Sequence, residues 1–148
     1  MIREKIIIGK DTKYALKGML TLPSGAERPV PAVVLVHGSG ASNMDEKVGN
    51  LTPFKDLADG LAESGIASVR YDKRTFAHAF KLLREKDITV KTETIEDAIL
   101  ATEMLKNDPR IDRENVFIIG HSMGAMLAPR IDDKGGNYKG LIMMAGSP

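Results

Sequence analysis

The sequence predicts an α/β fold: a three-layer α/β/α sandwich around a mostly parallel sheet, formed by a single domain over residues 1–148. The run Ala32 to Val36 is apolar without alternation, which indicates a strand buried on both faces. Amphipathic helical segments alternate with such runs, and this order favours right-handed crossovers between parallel strands. A chain of 148 residues is also long enough to bury a substantial core.

The first elements predicted are two edge strands, Lys5 to Gly9 and Tyr14 to Leu22, arranged as a hairpin-like pair. The buried strand described above follows them. A helix is then predicted to begin at Pro53, because Thr52 is a good cap and proline suits the first helical position. Gly65 is expected to stop this helix.

The next predicted strand is Ile66 to Tyr71. Residues 73–92 predict a short helix and a loop, because helical and extended patterns follow one another there. A second long helix is predicted from Thr94 to Lys106, with Thr94 and Asp97 spaced as a capping box.

The most informative motif follows the buried run Val116 to Ile119 and reads Gly120, His121, Ser122, Met123, Gly124. A G-x-S-x-G pattern between a strand and a helix is typical of a nucleophile elbow, a sharp turn that presents one serine hydroxyl to substrate. We therefore expect a positive φ at Ser122; the alternative is a chance glycine-serine turn. Pro129 should end or kink the following helix, and Leu141 to Ala145 is the last strand predicted.

A second glycine-rich turn, His37, Gly38, Ser39, Gly40, follows the strand Ala32 to Val36. In acyl transfer, two backbone N–H groups hold the oxyanion, one after the nucleophile and one in the loop after the third strand. Met123 and Ser39 occupy these places, so their N–H groups should point into one shared space. A phosphate site is disfavoured, since the turn lacks the Lys-Ser/Thr of a P-loop and the full G-x-G-x-x-G pattern.

Four segments together resemble the α/β-hydrolase superfamily: HGSG at 37–40, RYDKR at 70–74, DPRID at 108–112 and GHSMG at 120–124. Within it they are similar to dienelactone-hydrolase-like and prolyl-oligopeptidase-like serine esterases. The resemblance covers the N-terminal part of the fold, so the expected α/β-hydrolase fold is truncated after the sixth strand. Thr75 departs from the family pattern, which usually has glycine there.

The resemblance also implies a triad acid and a histidine after the nucleophile, and both are missing from this chain. The histidines present are His37, His78 and His121. By the same resemblance His37 packs beneath the oxyanion turn and His121 points away from Ser122, while His78 reads as a surface or cap residue. This chain alone is therefore expected to be inactive or incomplete as an enzyme.

Other acidic and basic candidates receive structural interpretations. Asp132 and Asp133 follow the motif closely, in a loop with Gly135 and Gly136, and are expected to solvate a turn rather than supply the triad acid. The pair Asp72 and Arg74 comes at a strand end and either touches substrate or, as we expect, braces neighbouring loops.

The composition of the chain disfavours several other classes of function. A net charge of +1 gives no electrostatic footprint for nucleic acid or an anionic membrane surface. No cysteine is present, and the N-terminus lacks the apolar segment of a signal peptide, so a cytoplasmic location is expected. Three scattered histidines form no metal cluster, and no cofactor is implied.

These observations predict a serine hydrolase of carboxylesterase type that acts on small ester substrates by nucleophilic acyl transfer. A peptidase or thioesterase of the same fold would share every residue named. The rival from another class is a non-catalytic, hydrolase-like module that binds a ligand or partner. The last strand should leave an open sheet edge, at which a second copy or the missing C-terminal half would pair.

Overall fold

One mixed sheet organises the part of the chain that the computed structural model describes, residues 1–82 and 89–144. Its six strands lie in the order β1-β2-β4-β3-β5-β6. Their bounds are β1 Ile2–Ile8, β2 Leu16–Leu22, β3 Val30–Val36, β4 Ala67–Tyr71, β5 Ile111–His121 and β6 Leu141–Met144. Strands β4, β3, β5 and β6 are parallel to one another, whereas β2 is antiparallel to both of its neighbours, β1 and β4. The predicted α/β class and the antiparallel edge pair are confirmed.

Helices cover both faces of this sheet. Their bounds are α1 Pro53–Glu63, α2 Arg74–Ala77, α3 Ala79–Leu82, α4 Val90–Lys106 and α5 Met123–Ile131. Successive side chains of a strand point to opposite faces. On β3, Val33 and Leu35 accordingly pack with Phe54 of α1, while Val34 and Val36 belong to the cluster that contains residues of α4 and α5. The predicted burial of β3 on both faces is confirmed.

The start of α4 corrects one prediction. The helix begins at Val90, four residues before Thr94, and the Thr89 hydroxyl caps it by accepting from the Thr92 N–H at 3.1 Å. Thr94 and Asp97 therefore form no capping box; both lie inside the helix with buried side chains. The short helix predicted within residues 73–92 is present as α2 and α3, and residues 83–88 lie outside the described ranges.

The helix after Ser122 does not end at Pro129, although an end there is one of the two outcomes predicted. It continues to Ile131, and a π-helical turn follows over Asp132–Gly136. Proline removes its own N–H from the ladder and crowds the carbonyl four residues earlier. The Asp132 N–H beyond it still donates to the Ala128 carbonyl, so the helix survives the loss of one bond.

Strand β6 lies at one edge of the sheet within the described ranges, and Ala145, the predicted last residue of this strand, falls outside them. Ile142 and Met143 of β6 are 47% and 61% exposed. Pairing at this edge, with a second copy or with another segment, stays a prediction. Over residues 1–82 and 89–144, none of the helices combines the length and apolar character needed to cross a membrane.

Candidate active site

Ser122 occupies a strained turn between β5 and α5. Its φ of 55° and ψ of −112° lie in a region that residues other than glycine rarely adopt. Strand β5 ends at His121 and helix α5 begins at Met123, so the turn consists of Ser122 alone. The predicted positive φ and the strand-turn-helix arrangement are confirmed, whereas the role of Ser122 as a nucleophile stays a prediction.

Three glycines allow the backbone to pack closely around Ser122. A Cβ added at Gly38 would lie 3.1 Å from the Ser122 Cβ, and one at Gly120 would lie 2.6 Å from the Ala125 nitrogen. A Cβ at Gly124 would lie 2.7 Å from the His37 carbonyl oxygen. Real Cβ atoms essentially never lie as close as the distances at Gly120 and Gly124, and the distance at Gly38 is tighter than most real Cβ contacts. The two glycine-rich turns predicted from the sequence are therefore brought into contact.

An open cleft of about 360 Å³ lies over this contact. It is lined by both predicted turns and by the loop after β3, and includes Gly38, Ser39, Ser42, Glu46, His121 and Ser122. The Ser122 hydroxyl makes no hydrogen bond within residues 1–82 and 89–144. A polar side chain held at a strained turn beside a cleft is available to a ligand.

The two proposed oxyanion donors are also available. Neither the Ser39 N–H nor the Met123 N–H donates to an acceptor in the described part of the chain. Met123 is the first residue of α5, where N–H groups have no partner inside the helix. Ser39 follows Gly38 in the turn after β3, and Gly40 completes this turn with a φ of 88°. The convergence of the two N–H groups on one oxygen stays a prediction.

Each histidine has a hydrogen-bond partner other than Ser122. The Nε2 atom of His37 lies 2.9 Å from the Asn43 carbonyl oxygen, and that of His78 lies 2.7 Å from the Ala15 carbonyl oxygen. The Nδ1 atom of His121 lies 2.9 Å from Glu46 Oε2. His78 also caps the C-terminal end of α2, as the sequence predicts. These contacts support structural roles for all three rings.

The buried ring of His37 should make stability depend on pH. Burial lowers the pKa of His37 to about 4, so the folded chain keeps the ring neutral while the unfolded chain protonates it near 6.5. As pH falls between these values the unfolded state binds the extra proton, and folding weakens. We expect this group to lower the free energy of unfolding by roughly 3 kcal/mol between pH 7.5 and 4.

Urea unfolding at a series of pH values measures this contribution as the difference between the wild type and His37→Gln. Phe80→Leu, at a side chain that is 86% exposed and does not titrate, is the control and should keep the wild-type pH slope. Equal slopes for the wild type and His37→Gln would contradict the assignment of a neutral, buried His37.

The sequence predicts no role at the site for two charged residues, Glu46 and Lys73, although Lys73 belongs to the RYDKR segment at 70–74. Glu46 is buried with a φ of 52°, and its Oε2 lies 3.3 Å from the Gly38 nitrogen as well as close to His121. The Lys73 ammonium, also buried, donates to the Gly38 carbonyl at 2.7 Å. Their contacts join segments that are far apart in sequence, so no local pattern signals them.

Asp72 braces a loop, as the sequence predicts, because it accepts from the Met44 N–H at 2.8 Å. Arg74 instead joins helices α2 and α4, through a fork to Asp97 with bonds of 2.7 and 3.1 Å. The predicted turn role of Asp132 is also found, since its Oδ1 accepts from the Tyr138 N–H at 2.7 Å. Over the described ranges, no group of three or more acidic or histidine side chains is arranged to hold a metal ion.

Comparisons with known proteins identify relatives of this chain. The chain is 45% identical over 134 residues to esterase EstD of Thermotoga maritima, a match that covers 90% of this chain and 31% of that protein. The chain thus spans about a third of the length of this relative. Many solved structures share the fold, including the following two. The dienelactone hydrolase of Anabaena variabilis has a TM-score of 0.72 and 20% identity, covering 98% of this chain and 63% of its own.

The second structure is the dienelactone hydrolase-like promiscuous phosphotriesterase P91 from metagenomic libraries. Its TM-score is 0.71 at 19% identity, over 98% of this chain and 59% of its own. At such identities the likeness concerns the fold alone. The family model for serine aminopeptidase S33 matches residues 27–147, a range that contains both glycine-rich turns. The chain therefore belongs to the serine aminopeptidase S33 family, within the α/β-hydrolase superfamily.

Proposed function

We propose that this chain carries the nucleophile and oxyanion hole of a serine esterase that acts on small carboxylic esters. The observation that carries the proposal is the strained Ser122, at φ 55° between β5 and α5, with its hydroxyl beside an open cleft. Backbone strain of this kind costs about 1–3 kcal/mol, and residues that carry it cluster at active sites and ligand-binding sites. The 45% identity to an esterase supports the same reaction class.

In the proposed reaction, Ser122 Oγ attacks the ester carbonyl carbon and an acyl-enzyme forms as the alcohol leaves. The N–H groups of Ser39 and Met123 hold the oxyanion of the tetrahedral intermediate. A general base must accept the Ser122 proton and give it to the leaving alcohol; water then attacks the acyl-enzyme, which releases the acid and restores the Ser122 hydroxyl. Each of the three histidines in this chain has a hydrogen-bond partner other than Ser122. We therefore propose that the base is a histidine from outside residues 1–148.

A peptidase is the second candidate, favoured by the aminopeptidase name of the matching family. Peptidases and thioesterases would use the same Ser122, Ser39 and Met123. Relative kcat/KM for an ester, a p-nitroanilide and a thioester of the same acyl group, each divided by the uncatalysed rate, separates these reactions. We expect the ester to be preferred, because the relative with 45% identity is an esterase.

A fluorophosphonate probe tests the proposal against a non-catalytic module. We expect the natural polypeptide that carries this sequence to be labelled covalently at Ser122, as located by peptide mass spectrometry. Ser42 lines the same cleft, so Ser42→Ala is the matched control and should still be labelled, whereas Ser122→Ala should not. A folded protein without labelling would support the module and overturn the esterase proposal.

A further inference from the structure

The buried ammonium group of a lysine side chain holds the turn that contains Ser39. Lys73, two residues beyond β4, is 5% exposed, and its ammonium donates to the Gly38 carbonyl at 2.7 Å. The backbone N–H of Lys73 also donates to the Ser42 carbonyl at 2.9 Å. One residue therefore anchors the loop after β3 at two points.

The Gly38 carbonyl and the Ser39 N–H belong to the same peptide unit. This unit is planar and trans, so its C=O and N–H point in opposite directions. A hydrogen bond from Lys73 to the oxygen therefore fixes the direction of the Ser39 N–H. A charged donor on the carbonyl also polarises the peptide, which makes its N–H a stronger donor.

The preceding peptide unit, between His37 and Gly38, is held by a carboxylate. The Gly38 N–H donates to Glu46 Oε2 at 3.3 Å, and the same carboxylate oxygen lies 2.9 Å from His121 Nδ1. Glu46 thus links the turn after β3 to the residue before Ser122. Both peptide units that meet at Gly38 have fixed orientations relative to the nucleophile turn.

We propose that Lys73 is a positioning residue of the oxyanion hole, whose ammonium orients and polarises the Gly38–Ser39 peptide so that its N–H binds the oxyanion. This inference rests on the proposed function, because it assigns Ser39 as an oxyanion donor. Burial lowers the pKa of Lys73, while the carboxylates of Glu93 and Glu46 raise it and favour the charged form. Lys73 touches no reacting atom and acts only through the peptide.

Kinetics of the natural polypeptide test the proposal. Removal of an oxyanion donor costs roughly 10²–10³-fold in kcat, so Lys73→Met, which weakens a donor, should lower kcat by about 10- to 100-fold with KM little changed. Lys139→Met, at an exposed lysine, is the control and should retain kcat. If Ser122→Ala abolishes turnover while Lys73→Met does not alter kcat, the positioning role is wrong. If Ser122→Ala retains turnover, the proposed function itself fails.

A spectroscopic measurement tests the peptide directly and needs no turnover. With [1-¹³C]glycine and [¹⁵N]serine labels, only Gly-Ser peptides give a correlated signal, and the sequence has two, at 38–39 and 146–147. Ser39→Ala removes one signal and so assigns it. We expect Lys73→Met to move the Ser39 amide proton and the Gly38 carbonyl carbon upfield, and Lys139→Met to leave both unchanged. Unchanged Ser39 and Gly38 signals in folded Lys73→Met would overturn the proposal.

If Lys73→Met does not fold, the wild type supplies the same information by titration to high pH. The chemical shift of the Gly38 carbonyl carbon should then change with the same midpoint pH as the chemical shift of the Lys73 Cε carbon. A Gly38 chemical shift that does not change with this midpoint would overturn the proposal. The other ionisable groups around Lys73 are His37, Glu46, Tyr71, Arg74, Glu93 and Asp97. Their own titrations are separated from that of Lys73 by following its Cε carbon.

Discussion

Replacement of Ser122 by alanine is expected to lower kcat for ester hydrolysis by about 10⁶-fold in the natural polypeptide that carries this sequence. The reason is chemical: alanine has no atom that can form the acyl-enzyme, so only binding and the oxyanion donors remain. Hydrolysis of p-nitrophenyl acetate by purified protein of verified mass measures the effect. The fold should persist, because the Ser122 hydroxyl makes no hydrogen bond in the described part of the chain.

Ser64→Ala is the control, since Ser64 lies at the C-terminal end of α1, and its kcat should match the wild type. Alanine at position 122 still has to adopt a positive φ, so circular dichroism and the midpoint of thermal unfolding should accompany the kinetics. Retention of most turnover in a folded Ser122→Ala protein would show that the nucleophile lies elsewhere.

Local patterns predicted the parts of the site that depend on neighbouring residues. The five residues from Gly120 to Gly124 determine the strand-turn-helix geometry and its positive φ, because the glycines permit close packing and the apolar run before them forms β5. The same reasoning predicted β3, whose unbroken apolar run is buried on both faces. Such features need only the chain within a few residues of the motif.

Features that depend on distant contacts were not predictable in this way. Lys73 and Gly38 are 35 residues apart, and Glu46 and His121 are 75 apart, so no spacing rule joins them. The prediction of where α4 begins is wrong for a related reason. Asp97 has the spacing of a capping residue, but its carboxylate instead accepts a hydrogen bond from Arg74, which lies after β4.

This buried ion pair carries the second large expected effect. Arg74 and Asp97 form a two-bond fork, and their side chains are 6% and 4% exposed. Replacement of Asp97 by asparagine would leave the guanidinium buried and without its main carboxylate. Loss of one partner of a buried pair costs about 3–5 kcal/mol, and we expect Asp97→Asn to lower the free energy of unfolding by this amount. Urea denaturation at pH 7 measures it.

Glu96 provides the matched control for this prediction. It also pairs with Arg74, at 3.3 Å, but its side chain is 58% exposed, so Glu96→Gln should cost less than about 1 kcal/mol. The cost of Asp97→Asn comes from the unpaired charge, and therefore the double variant Arg74→Met, Asp97→Leu should be more stable than Asp97→Asn alone. An Asp97→Asn chain as stable as Glu96→Gln would show instead that Arg74 finds other partners. Arg74 directly follows Lys73 in the chain, so Asp97→Asn should also weaken the hydrogen bond from Lys73 to the Gly38–Ser39 peptide. An upfield shift of the Ser39 amide proton signal would report this weakening.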